Sequence, residues 1–358
     1  MLARTGGAMG HVYQRWLRLR STFVARDGKR LMPGVFFMQQ FGARKRSVVA
    51  SALLLAIGAC SSAPPVIAVI PRACGTVLWE PEHAGAADAA RGYGLSIFWN
   101  APTRANDIQK QIALVEKIAS GHYQGIVLSP DETLALRTPI KRLLAHRIPL
   151  VVVGTELGID PDRNLSYILS DEKAAGEMAA RRVGFLLHNQ GSVAILGMDP
   201  KLSNITRRER SFESALAAEF PNIHVLTRRL GQTNVSQEQQ TAEELLQTGP
   251  IPDALVALSA ESTRGAYYAL VEFRKTKTIK LIGFDQDLLP PLRTGELDSV
   301  IAENTYEMGR QAIAQIEGQL HGTAVPQTIT VLPRLVTSEN IDTPEIRKIF
   351  SAHWWNQE

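Results

Sequence analysis

From residue 66 onward, short apolar runs alternate with amphipathic stretches, and that alternation leaves few folds open. The run Ile148-Pro149-Leu150-Val151-Val152-Val153 is apolar throughout, as a strand must be when both of its faces are covered. Strands of this kind, separated by segments long enough for a crossover helix, build a parallel sheet with helices on both sides. A first array places strands at 66–70, 95–99, 125–128, 148–153 and 167–171, with helices at 79–92, 105–120 and one that ends at His146. The rhythm then restarts. Helices at 172–187, 206–220, 236–246 and 261–273 alternate with strands at 192–196, 223–226, 254–258, 279–284 and 299–302. Two arrays of similar size predict an α/β chain of two similar doubly wound, Rossmann-like parallel-sheet lobes. A helix at 306–320 and a strand at 327–332 follow, so the chain is expected to return to its first lobe.

The formal charge of +4 invites a nucleic-acid reading until its distribution is examined. Residues 1–59 hold ten of the 39 Lys+Arg and one of the 35 acids, Asp27, leaving 29 basic and 34 acidic residues, a net −5, for the remainder. The basic character therefore belongs to the leader, and no nucleic-acid partner is expected. Arg44-Lys45-Arg46, the apolar run from Val48 to Ile57 and the small residues Gly58-Ala59 have the layout of a secretory signal. An apolar run of about ten residues is too short to span a bilayer. Ile57-Gly58-Ala59-Cys60 resembles a bacterial lipobox, which implies cleavage before Cys60 and lipidation of that residue; an ordinary signal peptide with a coincidental cysteine is the alternative. Met38 begins a signal of ordinary length and is the expected translation start. The reading is thus a leader at 1–59, a tether at 60–65, and an exported body held at the periplasmic or outer surface of a membrane only through Cys60. The second cysteine, Cys74, is either a buried inert thiol or a disulfide partner of Cys60.

Lys280-Leu-Ile-Gly-Phe-Asp-Gln-Asp287 reads as a buried strand that delivers Asp285 to its carboxyl edge, where open α/β sheets bind ligands. With it stand Ile67-Ala-Val-Ile70, Gly125-Ile-Val-Leu-Ser-Pro-Asp131, Ser170-Asp171, Arg208-Glu-Arg210 with Phe212, and Ile301-Ala-Glu-Asn-Thr-Tyr-Glu-Met-Gly309. In this order and spacing, residues 66–340 resemble the type I periplasmic substrate-binding proteins of the ribose/galactose class, the soluble receptors of ABC sugar importers. The resemblance implies three crossing segments between the lobes, near 169–171, 302–304 and 332–335, with ligand held in the interlobe cleft and closure by a hinge motion. It assigns 66–170 plus 304–333 to lobe 1, 171–303 plus 334–342 to lobe 2, and 343–358 to a C-terminal tail.

The same resemblance implies the ligand-binding residues. Trp79 stands where the family carries ring-stacking aromatics, with a tryptophan in the core of the first helix as the alternative; Leu78 stands where a second aromatic is frequent. Ser129 matches a polar position. Thr155 and Glu156 replace an Asp-Arg pair that sugar binders usually carry, and Ser259 and Glu261 replace a common Asn-Asp. Arg208 matches a ligand-binding arginine, though Arg207 and Arg210 also allow a solvated basic helix face. Asp285 matches a ligand-binding aspartate, and Glu303 replaces a frequent glutamine. Glu156, Asp285 and Glu303 together would make the cleft acidic, which favours an amino sugar or another cationic solute as the alternative to a neutral monosaccharide.

No Walker loop or G-x-S-x-G elbow is present, and His146 and His188 lack metal-ligand spacing, so no enzyme, metal or cofactor is expected. Repressors of the same fold carry a helix-turn-helix where this chain has its leader. The expected function is that of a monomeric, lipid-anchored receptor that passes a small polar solute to an ABC permease. The rival is a sensor that signals to a membrane histidine kinase or a chemoreceptor.

Overall fold

The computed structural model describes residues 63–74, 78–104, 107–232, 234–284 and 286–350. The leader, Cys60 and Asp285 lie outside the described residues. Val66–Ile70 (β1), Ser96–Trp99 (β2), Gly125–Leu128 (β3), Leu150–Val153 (β4) and Leu165–Ser170 (β5) come from the first array. Gly191–Met198 (β6), Ile223–Leu230 (β7), Ala254–Ala257 (β8), Lys280–Gly283 (β9) and Ser299–Ala302 (β10) come from the second, and Thr328–Val331 (β11) and Arg334–Thr337 (β12) follow. They form two six-stranded sheets with the same winding, β11-β5-β4-β3-β1-β2 and β12-β10-β9-β8-β6-β7. All pairings are parallel except β10 with β12, which lies antiparallel in the register Ser299 to Thr337. The order reverses beside β1 in the first sheet and beside β6 in the second, and open α/β sheets bind ligands outside the carboxyl ends of the strands at such reversals.

The helices are Glu80–Tyr93 (α1), Ile108–Ala119 (α2), Thr133–Ala145 (α3), Glu172–Leu187 (α4), Ser203–Glu219 (α5), Val235–Thr248 (α6), Ala260–Glu272 (α7), Leu289–Thr294 (α8), Thr305–Leu320 (α9) and Pro344–Ile349 (α10). Alternate residues of each strand feed opposite faces of the sheet. In the first sheet Ile67, Val69, Val127 and Val151 pack on Ala86 and Ala90 of α1 and Ile313 of α9, while Ala68, Ile70, Ile126 and Leu128 pack on α2 and α3. In the second, Val193, Ile195 and Val256 meet α4 and α5, whereas Ala194, Leu196 and Leu255 meet α6 and α7. Continuous apolar strands are therefore explained by two covered faces.

The chain changes sheet after β5, because α4 packs on β8, β9 and β10. It returns after β10, because α9 packs on β3, β4, β5 and α1. It leaves again between β11 and β12, which belong to different sheets.

Several elements differ from the sequence expectation. The strand expected at 223–226 extends to Leu230, because an edge strand tolerates the polar Thr227-Arg228-Arg229 that ends the apolar run. The short α8 starts at two prolines, whose missing N–H groups cost nothing in a first turn. Residues 344–349, read as part of a tail, form α10, and its Ile346 and Ile349 join the core of the second sheet.

Candidate functional site

On the first sheet, the loops after β1 and β3 are joined by Gln111 of α2, which is fully buried. Its Nε2 donates to the carbonyls of Pro71 at 3.3 Å and Ser129 at 3.0 Å, and its Oε1 accepts from the Asp131 amide at 2.8 Å. One amide thus satisfies three backbone groups and fixes two carboxyl-end loops against each other. Arg72 adds a second tie, with its Nε donating to the Pro130 carbonyl at 3.0 Å, and its guanidinium carbon lies 5.7 Å from the centre of the Trp79 ring. Trp79, at the N-terminus of α1, is only 6% exposed.

The hydroxyl of Ser129 turns inward. It is fully buried and donates to the Glu82 carboxylate, 3.4 Å from either oxygen. Burial pushes Glu82 up to about 8, with the Ser129 hydroxyl and Arg72 opposing the shift. The group is therefore protonated at neutral pH, the ordinary outcome for an acid taken from water without a close cation. Nothing in the sequence pattern singled out Glu82, since a glutamate in a first helical turn is common where it complements the helix dipole. His83 beside it stacks on Trp99 with ring centres 4.2 Å apart and planes 3° from parallel.

The second sheet builds a different wall. Gly176 lets α4 and α5 approach so closely that a Cβ there would lie 2.2 Å from the Arg208 carbonyl oxygen. The contact brings Arg208 beside Glu172, the first residue of α4. Arg208 is 3% exposed and Glu172 6%. The arginine donates from Nε at 2.8 Å and from Nη2 at 2.6 Å to the same Glu172 oxygen, and from Nη1 to the Leu258 carbonyl at 2.5 Å. Its guanidinium lies 4.1 Å from the Phe284 ring centre, and Nη2 is also 3.5 Å from Oε1 of Glu303. Burial raises Glu172 to about 7, opposed by Arg208 and reinforced by the negative charge of Glu303. Glu172 is the residue sequence reasoning missed here. Its position directly after the Ser170-Asp171 crossing was the available signal.

Glu303 lies between β10 and α9, with its side chain 30% exposed. Gln286 holds this stretch by donating Nε2 to the Glu303 carbonyl at 2.6 Å. Ser259 caps α7: its hydroxyl accepts from the Ser262 amide at 3.1 Å, and the Ser262 hydroxyl completes the capping box. Glu156, in the loop after β4, meets Arg207 of α5 at 3.6 Å, both side chains about half exposed. This pair links carboxyl-end elements of the two sheets. The structure thus brings Arg208 and Glu303 together and joins Glu156 to the neighbouring Arg207, but puts Ser129 on Glu82 and Ser259 in a helix cap. Cys74 forms no disulfide among the described residues; its Sγ lies 3.6 Å from the Ala101 carbonyl, and burial raises its pKa.

Residues 67–324 match the family model described as periplasmic binding protein domain. The ribose import binding protein of Bacillus subtilis is 25% identical over 236 residues, 65% of this chain and 75% of that protein. Among solved structures, an ABC transporter solute-binding protein from Agrobacterium vitis bound with alpha-D-tagatopyranose superposes with a TM-score of 0.70 at 23% identity, covering 80% of this chain and 98% of that one. An arabinose-binding protein from Geobacillus stearothermophilus gives a TM-score of 0.72 at 22% identity, over 78% of this chain and 99% of that one. With two equivalent lobes, their carboxyl edges and this match over well more than half its length, the chain belongs to the periplasmic binding protein family, whose members are solute receptors rather than enzymes.

Proposed function

We infer that the chain captures a monosaccharide in the crevice between its two sheets and hands it to an ABC permease. The observation that carries this reading is the convergence of Glu303 and the Glu156–Arg207 pair at the carboxyl ends of both sheets, with the buried Arg208 braced against Glu303. Hydroxyl-rich solutes need both acceptors and donors, and the partly exposed Glu303, Glu156 and Arg207 offer them. The sugars bound by the B. subtilis and A. vitis relatives support the same class of ligand. The lipobox-like Ile57-Gly58-Ala59-Cys60 is what supports a lipid anchor on Cys60; among the described residues no helix is long and apolar enough to cross a membrane.

A thermal-shift panel of neutral monosaccharides, amino sugars, polyols and amino acids tests the reading. A ligand at about a hundred times its Kd adds about 2.7 kcal/mol and a clear rise in Tm. Stabilisation by a sugar is the expected result, and stabilisation by amino acids alone would sink the assignment. For the anchor, Cys60→Ser is expected to move the protein from the membrane pellet to the soluble fraction, and a variant that stays in the pellet refutes lipidation at this residue.

A further inference from the structure

The arginine that sequence reasoning placed against the ligand has no fork left to offer. Nitrogens on all three arms of Arg208 are engaged: Nε and Nη2 on Glu172, Nη1 on the Leu258 carbonyl. The Phe284 ring lies against the guanidinium, and 3% of the residue is exposed. A bidentate grip on adjacent hydroxyls or on a carboxylate needs two free, parallel donors, and the contacts to Glu172, Leu258 and Glu303 leave one N–H, on Nη1. What the cluster presents outward is Glu303, held by the same Nη2 at 3.5 Å and exposed over 30% of its side chain.

The charge count at this wall is uneven. Two guanidiniums, Arg207 and Arg208, stand among three carboxylates, Glu156, Glu172 and Glu303, so the group carries one net negative charge when all three acids are ionised. The negative charge of Glu303 is itself one of the influences that raise Glu172, so a cation placed against Glu303 would relieve a repulsion already present. Acceptors are also in excess. Gln286, 5% exposed, spends its Nε2 on the Glu303 carbonyl, while its Oε1 is buried and has no hydrogen-bond partner among the described residues. An ammonium brings three donors and no acceptor.

We propose that the ligand is a sugar bearing an amine, that Glu303 receives the ammonium, and that Arg208 is a positioning residue which aims Glu303 and touches no ligand. The proposal rests on the reading of the crevice as a sugar site.

Calorimetric titration of the full chain with D-glucose, D-glucosamine and D-glucuronate, and with the same three compounds of the galactose series, tests it; D-ribose and D-allose serve as neutral additions. The amine of a series should bind about tenfold or more tighter than the neutral sugar, with the uronate not bound. Glu303→Gln should bring amine and neutral sugar to within about threefold of each other, because the amide keeps an acceptor and removes the charge. Arg208→Lys separates positioning from contact. A contact arginine loses affinity for every sugar alike, whereas a positioning arginine loses the preference for amine over hydroxyl. Should that lysine variant fail to fold, Glu303→Gln alone still decides. Equal affinities, binding of neutral sugars only, or a preference for the uronate, drawn to Arg72 on the opposite wall, overturns the proposal and leaves sugar binding standing. No binding by any of these sugars overturns the sugar reading and the proposal with it.

Discussion

Each lobe buries a glutamate in the first turn of the helix that enters its carboxyl edge, and the two are treated in opposite ways. Glu82 in lobe 1 is sealed under Ser129 with no cation in contact, and it resolves its burial by holding a proton. Glu172 in lobe 2 is buried almost as deeply but meets Arg208 at 2.6 Å, and the arginine works against the same desolvation. A buried acid without a partner becomes a neutral packing group, whereas one with a bound guanidinium can support a charged network that reaches the surface through Glu303. One lobe thus buries its acid as a neutral group and the other as part of a charged cluster.

The sharpest break of this contrast is Arg208→Met. It strands Glu172, so a loss of about 3–5 kcal/mol is expected in urea unfolding at neutral pH. A loss below about 1 kcal/mol would show that the pair is no anchor of lobe 2.

Glu82→Gln probes the other lobe and should have the opposite sign. The folded pKa of Glu82, about 8, lies above its ordinary value of 4.5, so the native state holds a proton that the unfolded chain releases. The stability from that proton is complete below about pH 4.5 and is lost as pH rises through about 8. The glutamine variant has no such loss. It should match wild type near pH 5 and exceed it by an amount on the order of a few kcal/mol at pH 9. An identical pH profile for the two proteins would mean that Glu82 is solvated.

The smallest effect is expected where the lobes touch each other. Glu156→Gln removes the Arg207 partner from a half-exposed pair, which should cost less than about 1 kcal/mol and fade with added salt. A larger, salt-insensitive loss would mark this pair as a latch between the lobes.

Much of the architecture was readable because hydrophobic periodicity is a local property. The uninterrupted run at 148–153 had to be covered on both faces, and it lies inside the first sheet between β3 and β5. The return of the chain after β10 followed from a helix and strand left over after two complete arrays, and α9 and β11 do join the first sheet. The limits of local pattern appear at β7, whose edge position lets polar residues extend the strand, and at Ser129 and Ser259. A serine after a strand reads the same whether it faces a ligand, a buried acid or its own helix.

Alternation and the order of the motifs were therefore determined by the sequence itself, since each depends on neighbours a few residues apart. Which of three clustered arginines is buried, and which glutamates share a charge, was decided only in three dimensions. Arg208 and Glu172 are 36 residues apart, and Ser129 and Glu82 are 47 apart. Those pairings depend on how closely helices approach, as Gly176 permits for α4 and α5, and on how much water the approach removes. Desolvation is a property of the assembled fold, and it turns the same residue type into a proton carrier in one lobe and an ion-pair partner in the other.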